Sequence, residues 1–365
     1  MINKIHSTTL VLDKEKCLKN IISMSSKAHS HCLKFRPHFK THQSLEIGEW
    51  FREFQIDGIT VSSLKMAEYF AKHEWKSITV AFPVNILEIK RINKLASSID
   101  LRLLVVDSDT IKKLDESLDY SLGLYIEIDP GYGRSGIHFD DQKKIESLIE
   151  AVKASKRINL HGFYCHAGHS YNSRSSNEIE NLTKPIVENL SNLRSRYNLS
   201  VCFGDTPSCS VLQDFGNIDE LSPGNFVFYD WIQTQIGSCT PNQIAVAMYC
   251  PVVAKYDSRN ELLIHGGAVH FSKDFDTHKD QSSYYGQIVE KNSITWGDPI
   301  EGCYLKSISQ EHGIVSCTND FFKQTKVGDL VAILPIHSCL TADLIGGYLT
   351  THGIAVDHLS EKKIK

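Results

Sequence analysis

Residues 33–42 read LKFRPHFKTH, and this stretch is the first of a series of short segments with the character of β-strands. In an extended strand alternate side chains share one face, so His38 and Lys40 would lie opposite Phe35 and Phe39. If the strand belongs to a closed barrel, Lys40 stands at its carboxyl end, where barrel enzymes build their active sites. A lysine there is a candidate for forming an imine with a carbonyl compound, and a solvated Lys/His face is the alternative.

Seven further strand-like segments follow before residue 225, with amphipathic helical patterns between them. Residues 86–95, for example, carry apolar side chains at three- and four-residue spacing behind Asn85, a residue type that caps helices. Alternating strands and helices imply parallel strands with helical crossovers, and eight units fit a closed (β/α)8 TIM-type barrel. An open doubly wound sheet is the alternative. The predicted strands are 33–39, 58–61, 77–82, 101–106, 123–128, 159–165, 199–203 and 218–221.

The sequence pattern changes after about residue 237, where helical periodicity ends and strand-like runs alternate with turns. These runs are 245–253, 261–265, 302–307, 313–317 and 330–334. We therefore expect an α/β barrel over 20–236, followed by a smaller, mostly antiparallel β domain over 237–365. Residues 1–19 are expected to pack with the β domain.

The composition is that of a globular protein: 365 residues, 41% hydrophobic, with 39 Lys+Arg against 43 Asp+Glu and a net charge of −4. The mild acidity and the lack of a long basic run argue against a nucleic-acid partner. No apolar run reaches the roughly 18 residues of a membrane helix, and the first residues lack the apolar stretch of a signal peptide. We expect a cytoplasmic protein without a membrane partner, whose ten scattered cysteines are free thiols.

Three groups of loops at predicted strand ends carry polar side chains suited to a ligand site. Arg134 lies in the glycine-containing loop 127–136, where its guanidinium could hold a phenolate or a carboxylate. The segment 161–169 offers Tyr164, His166 and His169 as ring contacts or as general acids and bases. The loops 204–208 and 222–225 follow the seventh and eighth predicted strands, where barrels often bind phosphate.

Residues 334–340, LPIHSCL, place His337 and Cys339 two positions apart, so both face the same way in an extended segment. Imidazole and thiolate together form a competent metal pair suited to zinc. Two protein ligands leave coordination positions open for water or substrate, as catalysis requires. From the spacing alone, a buried histidine beside a small apolar cysteine is the favoured interpretation.

Taken together, these segments resemble one family. The blocks RPHFKTH (36–42), 127–136, 162–169, 206–208, 222–225, EHG (311–313) and HSC (337–339) occur in the order found in fold-type III pyridoxal-phosphate enzymes of the D-serine dehydratase and D-threonine aldolase group. These enzymes are relatives of alanine racemase. The resemblance spans residues 33 to 343, and the RPHFKTH block is its most specific part.

The resemblance implies an alanine-racemase-like barrel with a β domain, and it implies roles for individual residues. Lys40 would carry pyridoxal 5'-phosphate as an aldimine and act as the catalytic base. His337 and Cys339 would hold a divalent metal, with zinc first and manganese or magnesium as alternatives. Such enzymes form homodimers with shared active sites. Further contacts to the cofactor would come from His38, Arg134, Tyr164, His166, Thr206, Ser208, Gly224 and Asn225.

The implied activity is elimination of water, then ammonia, from a D-3-hydroxy amino acid, with D-serine as the first candidate. The alternative is a retro-aldol cleavage that gives glycine and an aldehyde, with His169 as the base for the hydroxyl proton. Cys339 favours the dehydratase, because the aldolases of the group tend to carry a carboxylate there. Gln43, where the family often has lysine, leaves the substrate more open than the cofactor.

Three other classes are weaker alternatives. An amino-acid racemase needs a second base on the opposite face and has no use for a metal pair. A cofactor-binding regulator without catalysis would be a single-domain barrel, whereas this chain has an extra β domain. A non-enzymatic interaction protein would give a colourless preparation.

Overall fold

The computed structural model describes residues 5–54, 56, 58–292 and 295–360. The chain divides into two compact units: residues 23–40 with 51–224, here the barrel unit, and residues 1–22 with 41–50 and 225–365, here the β unit. The predicted boundary at residue 236 stays a prediction.

The strands match the predicted pattern closely. In chain order they are β1 Thr9–Leu12, β2 Lys34–Phe35, β3 Ile59–Val61, β4 Ser77–Pro83, β5 Asp100–Val105, β6 Leu122–Asp129, β7 Ile137–His138, β8 Ile158–His166, β9 Ser200–Gly204, β10 Glu220–Leu221, β11 Val246–Tyr256, β12 Glu261–His265, β13 Asp276–Thr277, β14 Ser283–Tyr284, β15 Gly286–Lys291, β16 Trp296–Ile308, β17 His312–Ser316, β18 Leu330–Pro335, β19 Tyr348–Thr350 and β20 Ala355–Val356.

Helices separate the strands of the barrel unit and are short in the β unit. They are α1 Lys14–Ser30, α2 Leu45–Arg52, α3 Leu64–Ala71, α4 Ile89–Ala96, α5 Ser108–Ser117, α6 Gln142–Lys153, α7 Ser176–Tyr197, α8 Thr206–Val211, α9 Trp231–Gln235, α10 Ala268–Phe271, α11 Asn319–Gln324 and α12 Ser338–Ile345. Side-chain oxygens define several starts, as in α5, where Asp107 accepts a hydrogen bond from the amide of Thr110. Among the described helices, none is long and apolar enough to cross a lipid bilayer.

Eight parallel strands of the barrel unit follow the order β2-β10-β9-β8-β6-β5-β4-β3, so the (β/α)8 prediction is confirmed. The ring closes because the chain after β2 also pairs with β3. His38 and Thr60 form a parallel bridge, and the amide of Phe39 donates to the carbonyl of Thr60 at 2.8 Å. On the other side, the amides of Arg36 and His38 donate to β10 and the residues after it.

Regular strand geometry in this first segment covers only Lys34–Phe35, which is shorter than the predicted strand. Pro37 has no N–H to donate to the neighbouring strand, although its carbonyl accepts from the amide of Thr60 at 3.0 Å. The predicted alternation of faces nevertheless holds. The Phe39 ring packs among Phe51, Phe70 and Trp75, while His38 and Lys40 face the opposite side.

The β unit is a mostly antiparallel sheet, as predicted. Its strand order is β12-β17-β16-β15-β18-β11-β1-β19-β20, and β12 also pairs with β11, so six strands form a closed ring. Strand β1 adds to this ring by antiparallel pairing with β11, while its pairing with β19 is parallel. The N-terminal segment is therefore part of this sheet.

Candidate active site

A cavity of about 320 Å³ in the barrel unit gathers five of the predicted cofactor residues from separate segments of the sequence. They come from the chain after β2, the loop after β6, and strand β8, because the carboxyl ends of parallel barrel strands meet at one face. The predicted residues that line the cavity are His38, Lys40, Arg134, Tyr164 and His166. The remaining wall is formed by Ser62, Ala81, Phe82, Pro83, Glu127 and Ser135.

The two histidines of this cavity are neutral. Burial, together with the positive charges of Lys40 and Arg134, lowers the pKa of His166 to about 3. Burial and the same cations, with His166, hold the pKa of His38 well below its usual value. The His166 Nδ1 atom lies 2.8 Å from the carbonyl of Gly204, which fixes the proton on Nδ1 and leaves Nε2 as an acceptor. Lys40 and Arg134 are therefore the cationic groups of the cavity.

Glu127 is a cavity residue that the sequence reasoning did not single out. Ser135 donates a hydrogen bond to its Oε1 atom at 2.7 Å, whereas its Oε2 atom is buried without a hydrogen-bond partner. Burial raises the pKa of this carboxyl group. The sequence signal that could have identified Glu127 is a carboxylate inside the apolar strand LGLYIEID, because charged residues are rarely buried without a partner.

Tyr164 lies with its phenol ring in a small buried cluster with Leu104, Tyr125 and Cys202. Burial holds the pKa of its hydroxyl well above the usual value, so the group is a neutral hydrogen-bonding phenol. His169, the predicted base of the aldol reaction, does not line the cavity. Its ring stacks on Tyr132 with centroids 5.7 Å apart, and its Nδ1 atom is buried without a hydrogen-bond partner.

The predicted phosphate residues lie in different surroundings. Thr206 is fully buried at the first position of α8. The Ser208 amide donates to Asp205 at 2.8 Å and its hydroxyl pairs with Thr183 at 2.9 Å, so its polar atoms already have protein partners. Gly224 is the last residue of the barrel unit and Asn225 the first of the β unit. Their phosphate roles stay predictions.

The predicted metal pair lies at the start of α12 in the β unit. The His337 side chain is hydrogen-bonded to Cys339, and its Nδ1 atom lies 3.8 Å from a carboxylate oxygen of Asp274. Burial opposes a charge on His337, but Cys339 and the carboxylates of Asp230 and Asp274 outweigh it and raise its pKa to about 9. A histidine in contact with a cysteine, with carboxylates nearby, is a set of side chains that can bind a divalent cation.

Hydrogen-bond donors surround the Cys339 sulfur. Thr41 Oγ1 lies 3.2 Å from it and Asn225 Nδ2 lies 3.5 Å away. The same Asn225 amide donates to Asp230 at 2.6 Å and to the Ser338 hydroxyl at 3.1 Å. The side chain of Asn225 thus lies beside the metal pair, whereas the sequence reasoning assigned it to phosphate and missed Asp230.

The segment 264–270, which the sequence left without a role, contributes to a second cluster in the β unit. The Nε2 atoms of His265 and His270 lie 3.4 Å and 3.7 Å from Glu311 Oε2. The amide of Gly267 donates to His270 Nδ1 at 3.1 Å, so Nε2 carries the proton and points to the carboxylate. A metal ligand would need the opposite tautomer. The cluster is therefore a triad in which Glu311 is hydrogen-bonded to His265 and lies near the Nε2 atom of His270.

The residues of the barrel cavity fit pyridoxal phosphate. A primary amine is present for the aldehyde, Tyr164 and Phe82 offer aromatic surface, and a guanidinium is available for an anionic group. The buried Glu127 Oε2 atom, which lacks a protein partner, is the kind of group that a ligand satisfies. The fold and this cavity define an alanine-racemase-like, fold-type III pyridoxal-phosphate enzyme.

Comparison with known proteins identifies the family within this class. The model "Alanine racemase, N-terminal domain" matches residues 12–228, and the model "Putative serine dehydratase domain" matches residues 245–351. A D-serine dehydratase of Dictyostelium discoideum is 30% identical over 95% of this chain and 93% of its own. The chain belongs to the D-serine dehydratase family, whose members are pyridoxal-phosphate-dependent lyases.

Two further proteins are similar to this chain at lower identity. The metal-free structure of a D-threo-3-hydroxyaspartate dehydratase variant, with a cysteine changed to alanine, gives a TM-score of 0.87 at 23% identity, over 97% of this chain and 98% of that chain. A 3-hydroxy-D-aspartate aldolase of Paracoccus denitrificans (strain Pd 1222) is 23% identical over 62% of each chain.

Proposed function

We propose that this protein is a pyridoxal-phosphate- and divalent-metal-dependent lyase that removes water from a D-3-hydroxy amino acid, with D-serine as the first substrate to test. The observation that carries the proposal is the cavity that unites Lys40, His38, Arg134, Tyr164 and His166. The similarity to a D-serine dehydratase over nearly the full length of both chains supports the choice of substrate.

Lys40 would hold the cofactor through its amine, and Arg134 and Tyr164 would flank it. When bound, the cofactor supplies an electron sink that makes the Cα proton of an amino acid acidic. The Lys40 amine would serve as the base for that proton. The neutral imidazoles of His38 and His166 leave the cationic charge of the cavity to Lys40 and Arg134, which favours anionic carboxylate and phosphate groups.

His337 and Cys339 would hold the divalent ion, with Asp274 and Asp230 adding negative charge near them. Such an ion would supply Lewis acidity toward the β-hydroxyl group, which is otherwise a poor leaving group. The imidazole and thiolate donors favour zinc over manganese or magnesium.

A retro-aldol cleavage to glycine and an aldehyde is the second candidate, favoured by the similarity to the Paracoccus aldolase. It requires a base for the hydroxyl proton. The position of His169 outside the cavity lining and its stack on Tyr132 give that role no geometric support. Elimination of water is therefore the favoured reaction.

We also propose that the protein works as a homodimer in which a second copy covers the cavity mouth. Phe82 lines the cavity and is 61% exposed, and the neighbouring Leu87 is 89% exposed. The β unit likewise exposes Phe275 and Leu340. Burial of such side chains against a partner would exclude water from the site. Sedimentation analysis of wild-type protein and of Leu87→Glu tests the assembly.

The deciding experiment is a product assay on D-serine, D-threonine and D-threo-3-hydroxyaspartate with and without a chelator. Keto acid plus ammonia from D-serine, lost with chelator and restored by zinc, is the expected result. Glycine plus aldehyde would establish the aldolase instead.

Borohydride trapping of the cofactor tests the lysine separately. The wild-type protein should yield a reduced adduct on Lys40, whereas Lys40→Arg keeps the charge and should yield none. An adduct on another lysine would refute the assignment of Lys40.

A further inference from the structure

Two cysteines outside the candidate active site face each other across adjacent strands of the β unit. Strands β16 and β17 are antiparallel, and their register pairs Leu305 with Val315 and Tyr304 with Ser316. Continued one residue past the end of β17, the same register would bring Cys303 opposite Cys317. Because side chains alternate along a strand, both thiols lie on the face that buries Leu305 and Val315.

The spacing of this pair suits a covalent bond. Directly opposed residues of antiparallel strands have Cα atoms about 4.5–5.5 Å apart, within the roughly 4.4–6.8 Å range of disulfides. The two thiol groups are close enough for each to shift the pKa of the other. Thr318 also holds the sulfur of Cys303 in place, since its amide donates to that atom at 3.4 Å.

The two cysteines of the pair differ in the pKa of their thiol groups. The contact with Cys317, with the hydrogen bonds from Thr318, outweighs burial and lowers the pKa of Cys303. The same contact raises the pKa of Cys317. By contrast, burial raises the pKa of Cys250, a cysteine in the core. At neutral pH the pair therefore shares one proton and holds one thiolate, the reactive form of cysteine.

Small molecules can reach this pair at Cys317. Cys317 is partly exposed, while Cys303 is buried. Thr318, which contacts the Cys303 sulfur, also lines a cavity of about 440 Å³ together with Ile300, Asp320 and Phe321. A reagent that enters at Cys317 would leave Cys303 positioned behind it as the resolving thiol.

The geometry points to a redox-active dithiol in which Cys303 and Cys317 form a reversible disulfide when a low-molecular-weight thiol disulfide oxidises them. The shared proton leaves with the reduced thiol. Cys317 passes its proton to the Cys303 thiolate as it attacks one sulfur of the small disulfide, which forms a mixed disulfide and releases one thiolate. That thiolate takes up the proton from Cys303. The Cys303 thiolate then attacks the Cys317 sulfur, forms the internal disulfide and expels the second thiol. Two electrons pass from the cysteine pair to the small disulfide.

The bond would lock the base of a hairpin whose turn binds another part of the β unit. The carbonyls of Ser309 and Glu311 accept hydrogen bonds from the amides of Ala268 and Gly266, at 2.7 Å and 2.9 Å. Helix α10 begins at this point, and the carbonyl of Phe271 at its end accepts from the Thr341 hydroxyl of α12 at 3.2 Å. Oxidation would therefore stiffen the support of the helix that carries the metal pair.

A redox titration of the full chain tests the proposal. The protein is equilibrated with mixtures of reduced and oxidised glutathione and quenched in acid. It is then unfolded and alkylated, and its mass is measured by mass spectrometry. Oxidised protein should carry two alkyl labels fewer than the ten of the reduced protein, and peptide mapping should find Cys303 linked to Cys317. Labelling of all ten cysteines throughout the titration would overturn the proposal.

Variants separate this pair from the other thiols. Cys303→Ser should abolish the internal disulfide and trap glutathione on Cys317, whereas the exposed-site control Cys32→Ser should leave the transition unchanged. A cross-link that persists in Cys303→Ser would overturn the assignment. If that variant does not fold, the peptide map of the wild-type protein decides alone.

Discussion

Acid sensitivity of the fold is expected to depend on His42, the histidine that ends the RPHFKTH block. Its side chain is fully buried, and its Nδ1 atom accepts the amide hydrogen of Ser44 at 3.1 Å. Burial lowers the pKa of His42 to about 3, against which the charge of Asp357 acts only in part. In the unfolded chain the same group titrates near its ordinary value of about 6.5.

The direction in which stability changes with pH follows from proton binding. Between these two pKa values the unfolded chain binds a proton that the folded protein does not, so stability falls as the pH drops below about 6.5. For one such histidine the loss between pH 7.5 and pH 5.5 is about 1.4 kcal/mol. The loss continues as the pH falls towards the folded value.

The measurement is the free energy of unfolding in urea at several pH values between 5.5 and 7.5, for wild-type protein and His42→Asn. Asparagine can keep an acceptor for the Ser44 amide but does not titrate. The variant should lose about 1.4 kcal/mol less than wild type over this range. His29→Asn, at an exposed position, serves as the control and should follow wild type. Equal pH dependence in wild type and His42→Asn would refute the reasoning.

Three further predictions concern packing, charge and metal. Phe39→Ala should lower the free energy of unfolding by about 3–5 kcal/mol, because the ring is fully buried among three aromatic rings; Phe39→Leu should cost less in the same urea experiment. Glu220→Ala should cost about 3–5 kcal/mol by leaving the buried Arg36 guanidinium without its partner at 2.9 Å, and the double variant Arg36→Met with Glu220→Leu should recover part of that loss. Cys339→Ala should abolish stoichiometric zinc in elemental analysis, while Cys32→Ala should retain it; full zinc content in Cys339→Ala would contradict the metal assignment.

Most of the fold could be predicted from the sequence, because its signals are local. Apolar runs such as 122–129 alternate with capped amphipathic stretches, and the structure places a strand or a helix on each of them. The strands β1, β7, β13, β14, β15, β19 and β20 were not predicted. For β1, the place in the sheet depends on β11, a partner distant in sequence.

That Lys40 and Arg134 line one cavity could be predicted, because each motif joins its chemistry to a strand end. The sequence does not contain the contacts that tertiary partners decide. Asn225 contacts Asp230 and Ser338 through a fold-dependent network, and Glu127 shows its unusual burial only once the strand is placed in the barrel. Sequence spacing contains neither kind of information.

The closure of the barrel has a consequence for biosynthesis. The segment that carries Lys40 belongs to the first barrel strand, and it is held on one side by the last, whose Glu220 lies 184 residues beyond Arg36. A ribosome must therefore deliver the chain as far as residue 220 before the lysine segment acquires both of its neighbours. Nascent chains that end before residue 220 should not retain the vitamin B6 cofactor, so loading of the cofactor must follow synthesis of the whole barrel.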